Sequence, residues 1–192
     1  YFVGHVELAT HFVAALGLLV YTLWFALRLL VPEQQSIHSP ALKKFTVALL
    51  LLLFVQLCYG GFMAGLRAAT VAPTWPTING EWFPASLFNE RGPANLVNNP
   101  FMVHFIHRGL AYLIVILIIG WFISIQKTAL SPWLHKTKIL PLVLVLAQVL
   151  LGICTVLYSP SATALVWFGV LHQFTAMLLL VSLVWVLYLV RK

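Results

Sequence analysis

The sequence predicts an all-α membrane protein of about five transmembrane helices. Of its 192 residues, 62% are hydrophobic and only 8% are charged, whereas a soluble domain has roughly 45–50% apolar and about 25% charged residues. Five apolar segments are also long enough to cross a membrane as helices, which takes about 20 residues each. These segments are 8–30, 45–66, 101–125, 139–157 and 163–190.

Breaks between the segments separate the predicted helices. The run 139–190 contains no charged residue and is too long for one span, but a Tyr-Ser-Pro-Ser turn at 158–161 divides it in two. Prolines interrupt the connections 31–44 and 126–138. The longest connection, 67–100, contains several prolines and glycines, and we expect an ordered loop there rather than a separate domain.

Small residues in the second segment indicate close helix packing. Gly61 and Gly65 have the small-xxx-small spacing that lets two membrane helices approach closely. The two cysteines, Cys58 and Cys154, both lie in apolar segments. We expect them to be small packing residues rather than the halves of a disulfide.

The distribution of basic residues predicts the orientation in the membrane. The net charge is +7, but the basic residues form no stripe interleaved with aromatic residues, so we expect no nucleic-acid partner. If the first helix runs from outside to inside, eight of the eleven lysines and arginines lie on the cytoplasmic side: Arg28, Lys43, Lys44, Lys127, Lys136, Lys138, Arg191 and Lys192. Because basic residues favour that side, the loop 67–100 is predicted to be external, which means periplasmic in a Gram-negative bacterium.

Three histidines, His11, His107 and His172, fall inside predicted membrane spans near their outer ends. A polar residue in a span is costly and usually faces a partner, a cavity or a metal. His107 and His172 lie at matched depth on different, parallel helices, which is the arrangement that two axial ligands of one heme iron need. An interhelical hydrogen bond is the alternative for either residue. His104, one turn before His107, is interpreted as a hydrogen-bonding or interfacial residue rather than a ligand.

Two arginines near the external side are candidates for contacts with a heme propionate. A buried arginine needs a carboxylate or a similar anion, and the external side offers few acidic residues. Arg108 directly follows His107, and Arg67 lies at the end of the second segment. The alternative for Arg108 is that its side chain extends to the outer interface.

Four stretches carry a more specific pattern: the Gly-Gly-Phe-Met-Ala-Gly-Leu-Arg-Ala run at 60–68 leading into Ala-Pro-Thr-Trp-Pro-Thr-Ile-Asn-Gly at 72–80, Phe-Ile-His-Arg-Gly-Leu-Ala-Tyr at 105–112, Gln-Val-Leu-Leu-Gly-Ile at 148–153, and Leu-His-Gln at 171–173. In this order and spacing they resemble the heme A synthase family of membrane oxidoreductases. The resemblance covers nearly the whole chain.

The resemblance implies a protein of eight helices in two four-helix halves, of which this chain is the fourth helix and the C-terminal half. Residues 1–44 would then be one helix with its cytoplasmic loop, and residues 45–192 the four-helix half that binds heme b. His107 and His172 match the family's axial heme b ligands, and His11 matches a histidine that faces the substrate heme O. The family's catalytic glutamate lies on a helix outside these residues, so the catalytic residues stay unassigned.

The family's reaction, as the resemblance implies it, oxidises the C8 methyl group of heme O to a formyl group, giving heme A for terminal oxidases. We expect an enzyme that is incomplete as given, since the chain begins at Tyr1. Its expected location is the inner (plasma) membrane. Expected partners are heme O, the lipid bilayer and the N-terminal half, in the same chain or as a separate subunit. Heme O synthase and a second copy of the protein are further candidates.

Two other function classes stay open from the residues alone. The first is a single-heme membrane cytochrome b that transfers electrons and has no substrate site. The second is a structural or transport protein that uses its histidines for packing or proton relay.

Overall fold

Five long helices dominate the computed structural model, which describes residues 3–191. All five are long and apolar enough to cross a membrane. They are α1 (His5–Leu30), α2 (Pro40–Gly65), α3 (Pro100–Ile125), α4 (Leu140–Leu157) and α5 (Ala162–Leu189). Within residues 3–191 the β structure is limited to one bridge between Ile78 and Glu81. The chain is therefore a multi-pass helical membrane protein, which confirms the predicted fold class.

Two of the helices begin earlier than their apolar runs predicted. α1 begins at His5 rather than at residue 8, and α2 begins at Pro40 rather than at residue 45. Proline suits the first turn of a helix because its φ is already helical and its missing N–H would have no partner there. α2 therefore starts in the polar connection, ahead of its hydrocarbon-spanning part. The division proposed between residues 44 and 45 falls inside this helix.

Helices α2, α3, α4 and α5 pack as a closed ring in that order, so that α3 and α5 lie on one diagonal and α2 and α4 on the other. This is the four-helix bundle that the sequence predicted. α1 packs on the outside of the ring, against α2 and α5. The apolar core fills the half of the bundle near the connections 31–39 and 126–139, around Leu49, Ile118, Trp121 and Leu183.

The other half of the bundle, towards the loop 66–99, is packed less densely. In α5 the buried residues run from Ala176 to Leu189, and the turns before Ala176 contain none. In α3 nothing is buried between His104 and Ile114. The packing is therefore looser at the level of His107 and His172, in the part of the bundle that we call its open half.

Close packing joins α1 to α2, as the small-residue spacing predicted. A Cβ added at Gly61 would lie 2.7 Å from the Cα of Ala9, and one at Gly65 would lie 2.5 Å from the Cα of His5. Backbone atoms cannot yield to such contacts, so only glycine fits at both positions. The two cysteines are free, as expected.

The loop between α2 and α3 is ordered, as expected from its composition. It contains short helical turns at Ala68–Val71, Ala85–Phe88, Gly92–Ala94 and Asn95–Asn98. Asn99 joins the loop to α3: its Oδ1 accepts from the N–H of Phe101, and its Nδ2 donates to the carbonyl of Ser86 at 2.8 Å. The loop therefore has a fixed position over the open half of the bundle.

Candidate functional site

One polar side chain from each helix of the bundle forms a layer across its open half. The four residues are Gln56 on α2, His107 on α3, Gln148 on α4 and His172 on α5. Glutamine and histidine therefore alternate around the ring. Because the two histidine helices lie on a diagonal, their imidazoles meet at the centre, with ring centroids 6.4 Å apart and ring planes at 69°.

Two contacts fix the ring of His172, and Gly152 lies close against it. Its Nδ1–H donates to the backbone carbonyl of Gln148 at 3.0 Å. A carbonyl only accepts, so Nδ1 carries the proton and Nε2 presents its lone pair. That lone pair faces the side-chain nitrogen of Gln148 at 3.2 Å. On a third side, a Cβ added at Gly152 would lie only 3.0 Å from Cε1 of the ring.

His107 is held by fewer contacts. Its Nε2 faces the side-chain nitrogen of Gln56 at 3.3 Å, and this amide can only donate. The Gln56 backbone carbonyl makes an electrostatic contact with the ring that falls short of hydrogen-bond geometry. Nδ1 of His107 is therefore buried without a hydrogen-bond partner among the described residues. A Cβ added at Gly60 would lie at an ordinary 3.6 Å from Cε1. Both histidines thus present the Nε2 lone pair, but only His172 is anchored at Nδ1.

The layer contains three buried polar atoms that have no hydrogen-bond partner among residues 3–191: Gln56 Oε1, Gln148 Oε1 and His107 Nδ1. Each such group destabilises the fold by about 1–3 kcal/mol. An apolar layer would remove that cost, so these atoms indicate a ligand-binding role rather than packing.

The spacing of the two histidine rings matches that of imidazoles on either side of one metal ion, although each Nε2 in this structure faces a glutamine amide. A metal–nitrogen bond of about 2.0 Å on each side places the two ring centroids about 6 Å apart, close to the observed 6.4 Å. In the described part of the chain, no group of three or more His, Cys, Asp or Glu residues could hold a metal ion. Two protein ligands alone suit heme iron, because the porphyrin supplies the other four.

Arg108 fastens the loop to α3 beside this layer. Its Nε–H donates to Nε2 of His104 at 2.9 Å, and its terminal nitrogens donate to the carbonyls of Thr74 at 2.6 Å, Thr77 at 3.1 Å and Pro76 at 3.2 Å. His104 is fully buried and acts as a hydrogen-bond acceptor, which agrees with its interpretation from the sequence. All four acceptors are neutral, so the charge of Arg108 remains available to an anion.

The structure does not bring the other two candidate residues into the layer. His11 lies on the exposed side of α1. Arg67 is exposed at the end of α2, with a left-handed backbone conformation at φ 51°. Their roles as heme O ligand and propionate contact stay predictions.

Sequence reasoning missed the two glutamines as partners of the histidines. The signal that could have found them is a repeated spacing: Gln56 precedes Gly60, and Gln148 precedes Gly152, by four residues in an otherwise apolar helix. Residues four apart share one helix face, and a glutamine inside a span needs a partner as a histidine does.

Comparisons with known proteins find matches over nearly the whole chain. A family model described as cytochrome oxidase assembly protein (COX15-CtaA) matches residues 2–184. A protein named heme A synthase from Rhizorhabdus wittichii is 35% identical over 185 residues, which cover 95% of this chain and 51% of that protein. Another of that name from Flavobacterium psychrophilum is 33% identical over 193 residues, covering 99% and 56%. The chain spans about half the length of these relatives. No solved structure matches it.

Proposed function

Because the chain belongs to the cytochrome oxidase assembly protein family COX15-CtaA, we propose that it supplies the heme b-binding half of a heme A synthase. That enzyme oxidises the C8 methyl group of heme O to a formyl group. The observation that carries the proposal is the pair of imidazoles from diagonal helices, which meet inside the bundle with ring centroids 6.4 Å apart. The names of the relatives, at 33–35% identity, support the reaction.

The residues of the layer have distinct tasks in this proposal. His107 and His172 would hold heme b at the iron through Nε2, in place of the Gln56 and Gln148 side-chain amides that contact those atoms in this structure. The backbone carbonyl of Gln148 would keep His172 oriented through Nδ1. When bound, the heme supplies one-electron redox chemistry that no side chain provides. Lipid and the apolar faces of α2–α5 exclude water from it. Arg108, with a charge that no protein anion neutralises among its four hydrogen bonds, contacts a heme propionate, as does Arg67 at the same end of the bundle.

We assign α1 to the substrate side of the enzyme. Helices α2–α5 close a ring without it, and it packs on their outer surface. His11 lies on the side of α1 that faces away from that ring and is exposed, where heme O and the N-terminal half of the enzyme would meet it. This arrangement supports a division of the chain into α1 with its connection and a second part that holds the heme b site, although α2 begins at Pro40, before the proposed boundary between residues 44 and 45.

The proposed location is the inner membrane, with the loop 67–100 on the periplasmic side. The basic residues support this orientation, because eight of the eleven then lie on the cytoplasmic side. Heme O synthase, or a second copy of the chain, is a further proposed partner, since heme O is poorly soluble and must pass between membrane proteins.

A single-heme cytochrome b is the second candidate. It is favoured because both histidines of the site lie on helices of the closed ring α2–α5. Extracted hemes distinguish the two. The full-length protein is produced in a host that makes heme O but not heme A, and the hemes are separated by chromatography. Heme A in the extract is the expected result. Heme b with unchanged heme O would favour the cytochrome, and a protein without any Soret band would contradict both.

A further inference from the structure

The two histidines rest on the same short element, used twice in the bundle. Gln56 and Gly60 on α2 face His107, and Gln148 and Gly152 on α4 face His172. In each case the glutamine amide meets Nε2 of the ring, and the glycine one turn later lies against Cε1. Each histidine is carried by the next long helix along the chain.

The two copies of this element restrain their histidines to different degrees. The Gln148 carbonyl accepts a hydrogen bond from Nδ1 of His172 at 3.0 Å, whereas Nδ1 of His107 is buried without a hydrogen bond. A Cβ would approach the His172 ring to 3.0 Å but the His107 ring only to 3.6 Å. His172 therefore has little room to turn or shift, and His107 has more.

We propose that the Gln148–Gly152 segment is a positioning element that makes His172 the fixed axial ligand, while the Gln56–Gly60 segment leaves His107 able to adjust. A hydrogen bond from the second ring nitrogen to a carbonyl fixes the tautomer and orientation of a metal-bound histidine and raises its basicity. A ligand that is already oriented loses less conformational freedom on binding. His172 thus captures the heme, and His107 completes its coordination. The inference rests on the proposed heme b site.

Glycine-to-alanine variants test the positioning element in the full-length protein purified with its heme. Gly152→Ala pushes the His172 ring by a few tenths of an ångström, because the new Cβ would stand 3.0 Å from it. That shift lengthens and weakens the hydrogen bond from the ring to the Gln148 carbonyl, which is 3.0 Å long in this structure. Loss of such a bond lowers metal affinity by about 10- to 100-fold, and the less basic ligand raises the reduction potential of the heme. Gly60→Ala should have a much smaller effect on both quantities.

Gly169→Ala is the matched control, since it lies on α5 with His172 and a Cβ there meets nothing within 4 Å. It reports what an added methyl group does to the helix alone. Equal effects of Gly152→Ala and Gly60→Ala on heme affinity and potential would overturn the inference.

If Gly152→Ala fails to fold, a second pair of variants tests whether His172 holds the heme more firmly than His107 does. His107→Gly should keep more heme, five-coordinate through His172, and added imidazole should restore a six-coordinate low-spin spectrum. His172→Gly should lose most of its heme before imidazole is added. Equal retention, or better retention in His172→Gly, would overturn the asymmetry while leaving the heme site itself intact. A wild-type protein without low-spin heme would instead refute the proposed function.

Discussion

Replacing Arg108 should release the loop between α2 and α3 from the bundle. The guanidinium donates to three carbonyls of the loop, and the two shortest of these hydrogen bonds are 2.6 Å to Thr74 and 3.1 Å to Thr77. At about 1.5 kcal/mol for each bond from a charged donor, these two alone contribute about 3 kcal/mol. The third loop bond, to the more exposed carbonyl of Pro76, is left out of the sum, and the bond to His104 lies within α3 and does not hold the loop. In Arg108→Gln the loop should therefore open about 100-fold more often.

Hydrogen exchange in nanodiscs measures this opening directly. The amides of Ile78, Asn79 and Glu81 are hydrogen-bonded within the loop, and their exchange should accelerate by about that factor. Arg108→Lys should restore only part of the protection, because an ammonium group cannot reproduce the planar fork of donors. Arg91→Gln, at an exposed arginine elsewhere in the same loop, is the control. Unchanged hydrogen exchange in Arg108→Gln would show that Arg108 does not hold the loop against the bundle.

Three further predictions concern the packing of α1 on α2, the orientation of the chain in the membrane, and what residues 1–192 can do alone. Gly61→Ala should destabilise the protein by about 1–3 kcal/mol, because its Cβ would lie 2.7 Å from the Ala9 backbone. Gly17→Ala, with open space around it, should leave stability unchanged. Thermal unfolding in detergent measures both. In intact spheroplasts, a single cysteine placed in the loop 67–100 should react with an impermeant thiol reagent, and one placed in 126–138 should not. The reverse pattern would mean that the proposed membrane orientation is wrong. Residues 1–192 expressed alone should bind heme b without forming heme A, and any heme A from them would move catalysis onto this half.

The five helices could be predicted because each apolar run matches the thickness of the bilayer. Their starts could not be predicted as well, because Pro40 opens α2 in a polar connection that a hydrophobicity criterion excludes. The ordered loop was foreseen from its composition, but its attachment to Arg108 was not. That attachment depends on where the carbonyls of Thr74 and Thr77 point, and no sequence pattern determines this direction.

The histidine pair was predictable from matched depth, and the structure brings both rings together as expected. Their glutamine partners were not predicted. Gln56 lies 51 residues from His107 along the chain, and the sequence shows only its four-residue spacing to Gly60, which Gln148 and Gly152 repeat, without showing which side chain it contacts. The difference between the two histidines was also out of reach, because it depends on a hydrogen bond at 3.0 Å that forms at one site and not at the other.

The optical spectrum of the purified protein and of its His107→Ala and His172→Ala variants tests the central claim most directly. Two imidazoles on opposite sides of one iron give a six-coordinate, low-spin b-type heme. The wild-type protein should show that spectrum, and each variant should lose heme or become five-coordinate and high-spin. If both variants keep the low-spin spectrum of the wild type, His107 and His172 are not the axial ligands and the proposed heme site is wrong.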